Sequence, residues 1–194
     1  MTRFRSLAAA AALFACALPA LAAPPSTDQV RRIRQVLGFD LAMHAMLDKE
    51  IAKAAEQRKW DAGGRACVRD EIVPVLSDAL DLAFADLFES SENAQAWLDF
   101  ADKPAGRTMM EYVRADVAAS VRGEGEKPDA SALASQMSEE DQIEMLTFML
   151  SPAAQVLQKQ FPELDLPAER RDALQAKIRS TCGVEFDVAG AFSS

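Results

Sequence analysis

The sequence predicts an all-α fold: a compact multi-helix domain containing a duplicated helix–Pro corner–helix unit. Three observations carry this reading. Apolar residues recur at three- and four-residue spacing along most of the chain, the period of a helix buried on one face. Hardly any stretch alternates with the two-residue period of a strand; the tail GVEFDVAGAF is the one candidate, and it is too short to build a sheet alone. Prolines and glycines sit largely where one periodic segment gives way to the next, the positions at which helices begin and end.

The opening residues are read apart from the fold. Arg3 and Arg5 make a basic start, Leu7 to Leu18 an apolar run, and Pro19-Ala20-Leu21-Ala22 a small-residue cleavage site, the pattern of a secretory signal peptide. The run is short for a span, which needs about 20 apolar residues. Cleavage after Ala22 is expected, or after Ala23, leaving residues 23–194 as a single all-helical domain. Leu13-Phe14-Ala15-Cys16 is a degenerate lipobox, so lipid anchoring at Cys16 is the alternative.

The elements follow in order. Ser26-Thr27-Asp28-Gln29 is a capping box for a helix with Val30, Ile33 and Leu37 on one face, ended or bent by Gly38. Asp40 is placed to cap a second helix carrying Leu41, Met43, Leu47 and Ile51 to about Gln57. Asp61-Ala62-Gly63-Gly64 reads as a turn. A long helical region then runs from about Arg65 to Phe88 with Ile72, Leu76, Leu80, Phe84 and Phe88 as its stripe, and Pro74 predicts a kink or a junction of two helices. Ser90 or Ser91 starts AQAWLDFA; Lys103-Pro104-Ala105-Gly106 interrupts it before RTMMEYVRADVAASV. GEGEKPDA, residues 123–130, is the best loop. EEDQIEMLTFML, Ser151-Pro152 and the segment AAQVLQKQF come next, and a last helix from Ala168 to about Thr181 carries Leu174 and Ile178 with Cys182 next on the same spacing.

Charge excludes one class of partner. The whole chain carries 21 basic and 30 acidic residues, net −9; without Arg3 and Arg5 the balance is 19 against 30, or −11. Such a chain is repelled by phosphate backbones and anionic headgroups, so no nucleic acid is expected. No segment after the leader is long and apolar enough to span a membrane. Without Cys16 the chain keeps Cys67 and Cys182, an even number, which in an oxidising compartment is read as a bridge closing a long loop. A buried free thiol pair and a lone reactive thiol are the competing readings.

The proline corner occurs twice. SSENAQAWLDFADKPAG from Ser90 aligns with SEEDQIEMLTFMLSPAA from Ser138 at a constant spacing of 48, and 6 of 17 positions are identical. Phe100, Pro104 and Gly106 thus correspond to Phe148, Pro152 and Ala154. A serine and acidic residues suit the first turn of each helix. Proline at the start of the following helix gives up no bond, because that amide has no helical partner. Ser151 is placed to cap the segment after Pro152, and Asp102 the one after Pro104. The small residues let the helices approach, and Phe100 and Phe148 are the expected core anchors.

The stretch MSEEDQIEMLTFMLSPAAQVLQKQFPEL resembles the core signature of the DUF2059 family, with an acidic helix start, an apolar helix ending in Phe, then Pro, a small residue and a further apolar helix. The pattern maps onto Phe148 and Pro152. Ala154 stands where the family commonly has Gly, and Met149 where many members have Tyr. RRIRQVLGFD also resembles the short helix with which such proteins often begin. The likeness covers residues 138–162 well and 28–165 loosely, with its core about 90–165. It implies an exported, helical, mostly bacterial protein, and since the family has no established activity it carries over no catalytic residue.

Chemistry is sparse. His44 is the only histidine; Asp40, His44 and Asp48 share a helix face, where the carboxylates can hold the imidazole by surface ion pairs. One histidine and two carboxylates fall short of a zinc set. No G-x-S-x-G elbow is present, and GEGEKPDA lacks the spacing of a calcium loop. Asp78, Asp81, Asp86 and Glu89 read as a solvated helix face rather than a glycosidase pair, and Trp60 and Trp97 as packing residues. No catalytic residue, metal ligand or cofactor is predicted. The expectation is a periplasmic or secreted cell-envelope protein that binds without catalysis, either a small apolar ligand between helices or an envelope protein partner on an exposed apolar face. A carboxylate-based envelope hydrolase, and a structural or stress-related envelope protein, are the alternatives.

Overall fold

Serine caps set the helices as the sequence indicates. In the computed structural model, which describes residues 22–122, 128–129, 133, 135, 137–158 and 166–191, α1 spans Thr27–Leu37 behind a complete capping box: Ser26 Oγ accepts from Gln29 N, and Gln29 Oε1 from Ser26 N. The signal segment with Cys16, most of the 123–130 loop and residues 159–165 lie outside the described residues. Gly38 ends α1 at φ 79°, a conformation glycine adopts without strain. It also has no room for a side chain, since a Cβ there would stand 2.9 Å from Arg114 Cγ.

The remaining elements are α2 (Phe39–Arg58), α3 (Ala62–Phe88), α4 (Ser91–Ala101), α5 (Pro104–Arg122), α6 (Glu139–Met149), a 3-10 helix (Pro152–Gln158), α7 (Ala168–Cys182) and the short α8 (Val188–Ala191). The described residues contain no strand, and the Val/Phe tail supplies Phe186 and Val188 to the core instead. The fold is all-α. One apolar cluster runs from Val30 to Val188, with α3 as its axis: α1, α2 and α7 all lie along it, while α1 covers α4 and α2 covers α5.

Several local expectations are corrected. Asp61-Ala62-Gly63-Gly64 is not a free turn but the start of α3, where Asp61 Oδ1 accepts from Gly64 N at 2.7 Å. α3 continues through Pro74 as one helix of 27 residues rather than two. Pro74 is exposed while Val68, Ile72, Leu76 and Leu80 are buried, so the ring faces solvent and burial of the stripe outweighs the one lost backbone bond. Asp40 does not cap α2, whose N-cap, Gly38, has no side chain to offer.

Asp40 is claimed by a buried cation. Arg34 is only 3% exposed, and all five of its N–H donors are used. Nε and Nη2 donate to Asp40, Nη1 to Asp81 and to the Ser77 carbonyl at 2.8 Å, and Nη2 also to Ser77 Oγ at 3.0 Å. One guanidinium therefore ties α1 to α2 and α3. Asp81, read above as part of a solvated face, is half of this lock.

Cys67 on α3 and Cys182 at the end of α7 stand at disulfide distance, Sγ–Sγ 2.01 Å, across 115 residues. The link pins the end of α7, past its own Leu174 and Ile178 stripe, to α3.

Two outcomes follow. Arg34→Ala leaves two carboxylates facing an apolar core, and is expected to cost about 3 kcal/mol in urea unfolding. Arg34→Lys does not restore it, since an ammonium lacks the planar fork. Cys182→Ser releases the long loop and is expected to lower stability by about 4–5 kcal/mol, read as a lower urea midpoint than the oxidised protein shows and matched by wild type under reductant.

Candidate functional site

The two proline corners share one local geometry. α4 and α6 each have 11 residues. Ser90 Oγ accepts from Asn93 N at 3.1 Å, and Ser138 Oγ accepts from Asp141 N at 3.1 Å. At the far ends, Asp102 N donates to the Leu98 carbonyl at 3.1 Å, and Leu150 N to that of Leu146 at 3.2 Å. Lys103 N and Ser151 N then close the same three-residue turn on Phe100 and Phe148, at 3.0 and 2.8 Å. Position for position, the hydrogen bonds repeat.

After the proline the chains differ. α5 proceeds as a 19-residue α-helix, whereas Pro152 opens a 7-residue 3-10 helix, correcting the expectation of an α-helix as far as Gln158. Gly106 shows why. A Cβ there would lie 1.7 Å from the Phe100 carbonyl oxygen, so the α-helical corner admits only glycine. Ala154 carries a Cβ at the corresponding place, and the same path would drive it into the Phe148 carbonyl. The second corner turns with tighter i to i+3 bonds instead: Ala154 N donates to the Ser151 carbonyl at 3.1 Å, with Ser151 Oγ at 3.3 Å as the expected cap. Asp102 does not cap α5; it ends α4, and its carboxylate faces Arg32 at 3.6 Å.

The corners then pack on each other. Phe100 and Phe148, corresponding residues, lie parallel with ring centroids 3.8 Å apart. Trp97 meets Phe148 edge-on at 5.2 Å and donates from Nε1 to the Ala153 carbonyl at 2.8 Å. Lys103 Nζ reaches Glu144 Oε1 at 2.8 Å. Above the stacked rings a groove of about 560 Å³ opens to solvent between α4 and α6. Its carboxylates are Asp99, Glu140 and Glu144; Gln95 donates to Asp99 and Lys103 pairs with Glu144.

From the edge of the groove, which Ile143 lines, α6 turns an apolar stripe outward. Ile143, Leu146 and Leu150 share one face and are 60%, 64% and 86% exposed, with Met149 beside them. Leu98, the counterpart of Leu146, is 2% exposed. Composition alone reads EEDQIEMLTFML as one more apolar helix. Which face is covered depends on the neighbours, and no pattern within α6 reports them.

Elsewhere the candidate residues do not assemble. Asp40 is bound to Arg34 and Asp48 to Arg69 at 3.1 Å, rather than to His44 as their shared face would permit. His44 is half-buried with Nδ1 out of solvent and unpartnered. Among the described residues no group of three or more His, Cys, Asp or Glu is placed to hold a metal ion. Trp60 packs on Phe186 at one wall of a broad cleft, about 690 Å³, with Arg58, Lys59 and the end of α7. No described helix is long and apolar enough to cross a membrane.

Compared with models of known protein families, with curated proteins and with solved structures, the chain finds no match.

Gly106→Ala is expected to cost about 3 kcal/mol, an overpacking penalty at an unyielding carbonyl, read by urea unfolding. Ala154→Gly, where the 3-10 turn already accommodates a methyl, is expected to cost about 1 kcal/mol or less.

Proposed function

We propose that the protein is an exported, non-enzymatic interaction module of the cell envelope, and that it docks a protein partner on the outer face of α6. The observation that carries the reading is the stripe Ile143, Leu146 and Leu150, contiguous and uncovered at the paired corners. Scattered exposed leucines are ordinary on a protein surface. A contiguous apolar patch rimmed by polar residues marks an interaction site. A convex helix face suits a protein surface, whereas a small apolar ligand asks for an enclosed cavity.

Export rests on the leader pattern, and a cysteine pair at disulfide distance is compatible with an oxidising compartment. A periplasmic or secreted location follows, with lipidation at Cys16 as the alternative that N-terminal sequencing decides. Membership of the DUF2059 family, resembled at the corner residues, belongs to the same proposal. A carboxylate-based hydrolase finds less support: Asp81 is committed to Arg34, and Asp78 and Asp86 stand exposed on α3.

In-cell photocrosslinking tests the reading. A photoreactive residue at position 146 or 150 is expected to give one defined protein adduct, and one at Leu82, a leucine 61% exposed on α3, none. Equal labelling at all three positions, or none at 146 and 150, removes α6 as the docking face.

A further inference from the structure

We infer that the outer face of α6 takes a short amphipathic helix of a partner protein, seated there as α1 is seated on α4. The inference rests on the interaction reading above and adds the nature of the occupant.

The chain supplies its own template. Because α4 and α6 have equal length and repeat each other's cap hydrogen bonds at a spacing of 48, each position on one has a counterpart on the other. α1 lies on α4 through Gln29, whose Nε2 donates to the Ser91 carbonyl at 3.1 Å and to Gln95 Oε1 at 3.3 Å, and through Arg32 beside Asp102. Ser91, Gln95, Leu98 and Asp102 share one helix face. Their counterparts are Glu139, Ile143, Leu146 and Leu150, the exposed stripe and the acidic residue at its start. Leu98, on the face of α4 that meets α1, is 2% exposed, and Leu146, over which no described helix lies, is 64% exposed.

The differences between the two faces specify the occupant. Gln95 offers α1 a hydrogen bond and Asp102 a charge, but Ile143 and Leu150 offer only apolar surface. The occupant therefore carries apolar side chains where α1 carries Gln29 and Arg32. Glu139 and Glu140 at the start of α6 call for a basic side chain in the turn that meets them, where it also avoids the repulsion an acidic helix would meet. A second copy of this chain fits less well. Its α1 is already held on its own α4, and its α6 brings the same carboxylates.

The probe is a synthetic peptide of residues 26–38 carrying Gln29→Leu and Arg32→Leu, titrated into the full-length folded protein labelled with 15N. Saturable shifts confined to Ile143, Leu146, Leu150 and their neighbours are expected. Leu146→Asp, at an exposed position that leaves the core intact, is expected to weaken binding at least tenfold, and a peptide further carrying Ser26→Arg, one turn before position 29 on the same face, to bind more tightly than one carrying Ser26→Glu. Circular dichroism checks that the protein variant folds. Shifts that map to α1 and α4, undiminished binding to Leu146→Asp, or no saturable shift on α6 overturn the inference. A concentration-dependent dimer in native mass spectrometry that Leu146→Asp dissolves overturns it too, in favour of a second copy, and leaves α6 standing as an interaction face. The crosslinking at position 146 judges that broader reading separately.

Discussion

Phe148 is the residue on which the placement of α6 depends. It is the one buried side chain of that helix, stacked on Phe100 and met edge-on by Trp97. Burying a phenylalanine contributes about 1.5–3 kcal/mol, and each well-placed aromatic pair adds about 0.5–1.5 kcal/mol. The Lys103–Glu144 contact adds little by comparison, because the lysine is half exposed and such pairs are screened. A helix fastened mainly through one ring keeps its opposite face free. The attachment and the exposed stripe are thus two sides of one packing arrangement.

The N-terminal part of the molecule shows the opposite pattern, a buried charge beneath covered leucines. Arg34 locks α1 to α2 and α3, and α1 so held lies across α4 at Ser91, Gln95 and Asp102, the face on which Leu98 is buried. Burying a guanidinium is costly unless every donor is satisfied. Here the two carboxylates and Ser77 satisfy all five. The lock therefore fixes where α1 sits as much as it adds to stability, and the covered state of α4 follows from it. α6 has no described helix fixed over its counterpart face.

Much of this was legible from local chemistry. Ser26, Ser90 and Ser138 announce their helices because a cap acts within three residues. The Phe–Pro–small pattern gives the corners, and Cys67 and Cys182 give their pairing by parity. What escaped was set by distance along the chain. Arg34 sits among Arg31 and Arg32, which stay exposed, and its partners lie up to 47 residues away. Nothing in RRIRQ distinguishes the buried arginine from the solvated ones. The junction of two helices allowed at Pro74 is absent for the same reason, since whether a helix continues past a proline depends on what packs along its other face. The 3-10 turn at Pro152 hangs on one methyl group, the difference between Gly106 and Ala154, and its consequence is visible only once the Phe100 carbonyl is placed.

The Cys67–Cys182 link has a topological meaning apart from its contribution to stability. It encloses α4, α5, α6 and the 3-10 helix in one covalent ring, with most of α3 and α7. A single backbone cut anywhere between residues 68 and 181 would open the ring without releasing a fragment. A nicked molecule would gain only the mass of the water that cleaved it, and its two pieces would separate only on reduction. Wherever proteases reach the chain, that is resistance to loss even where there is no resistance to cleavage.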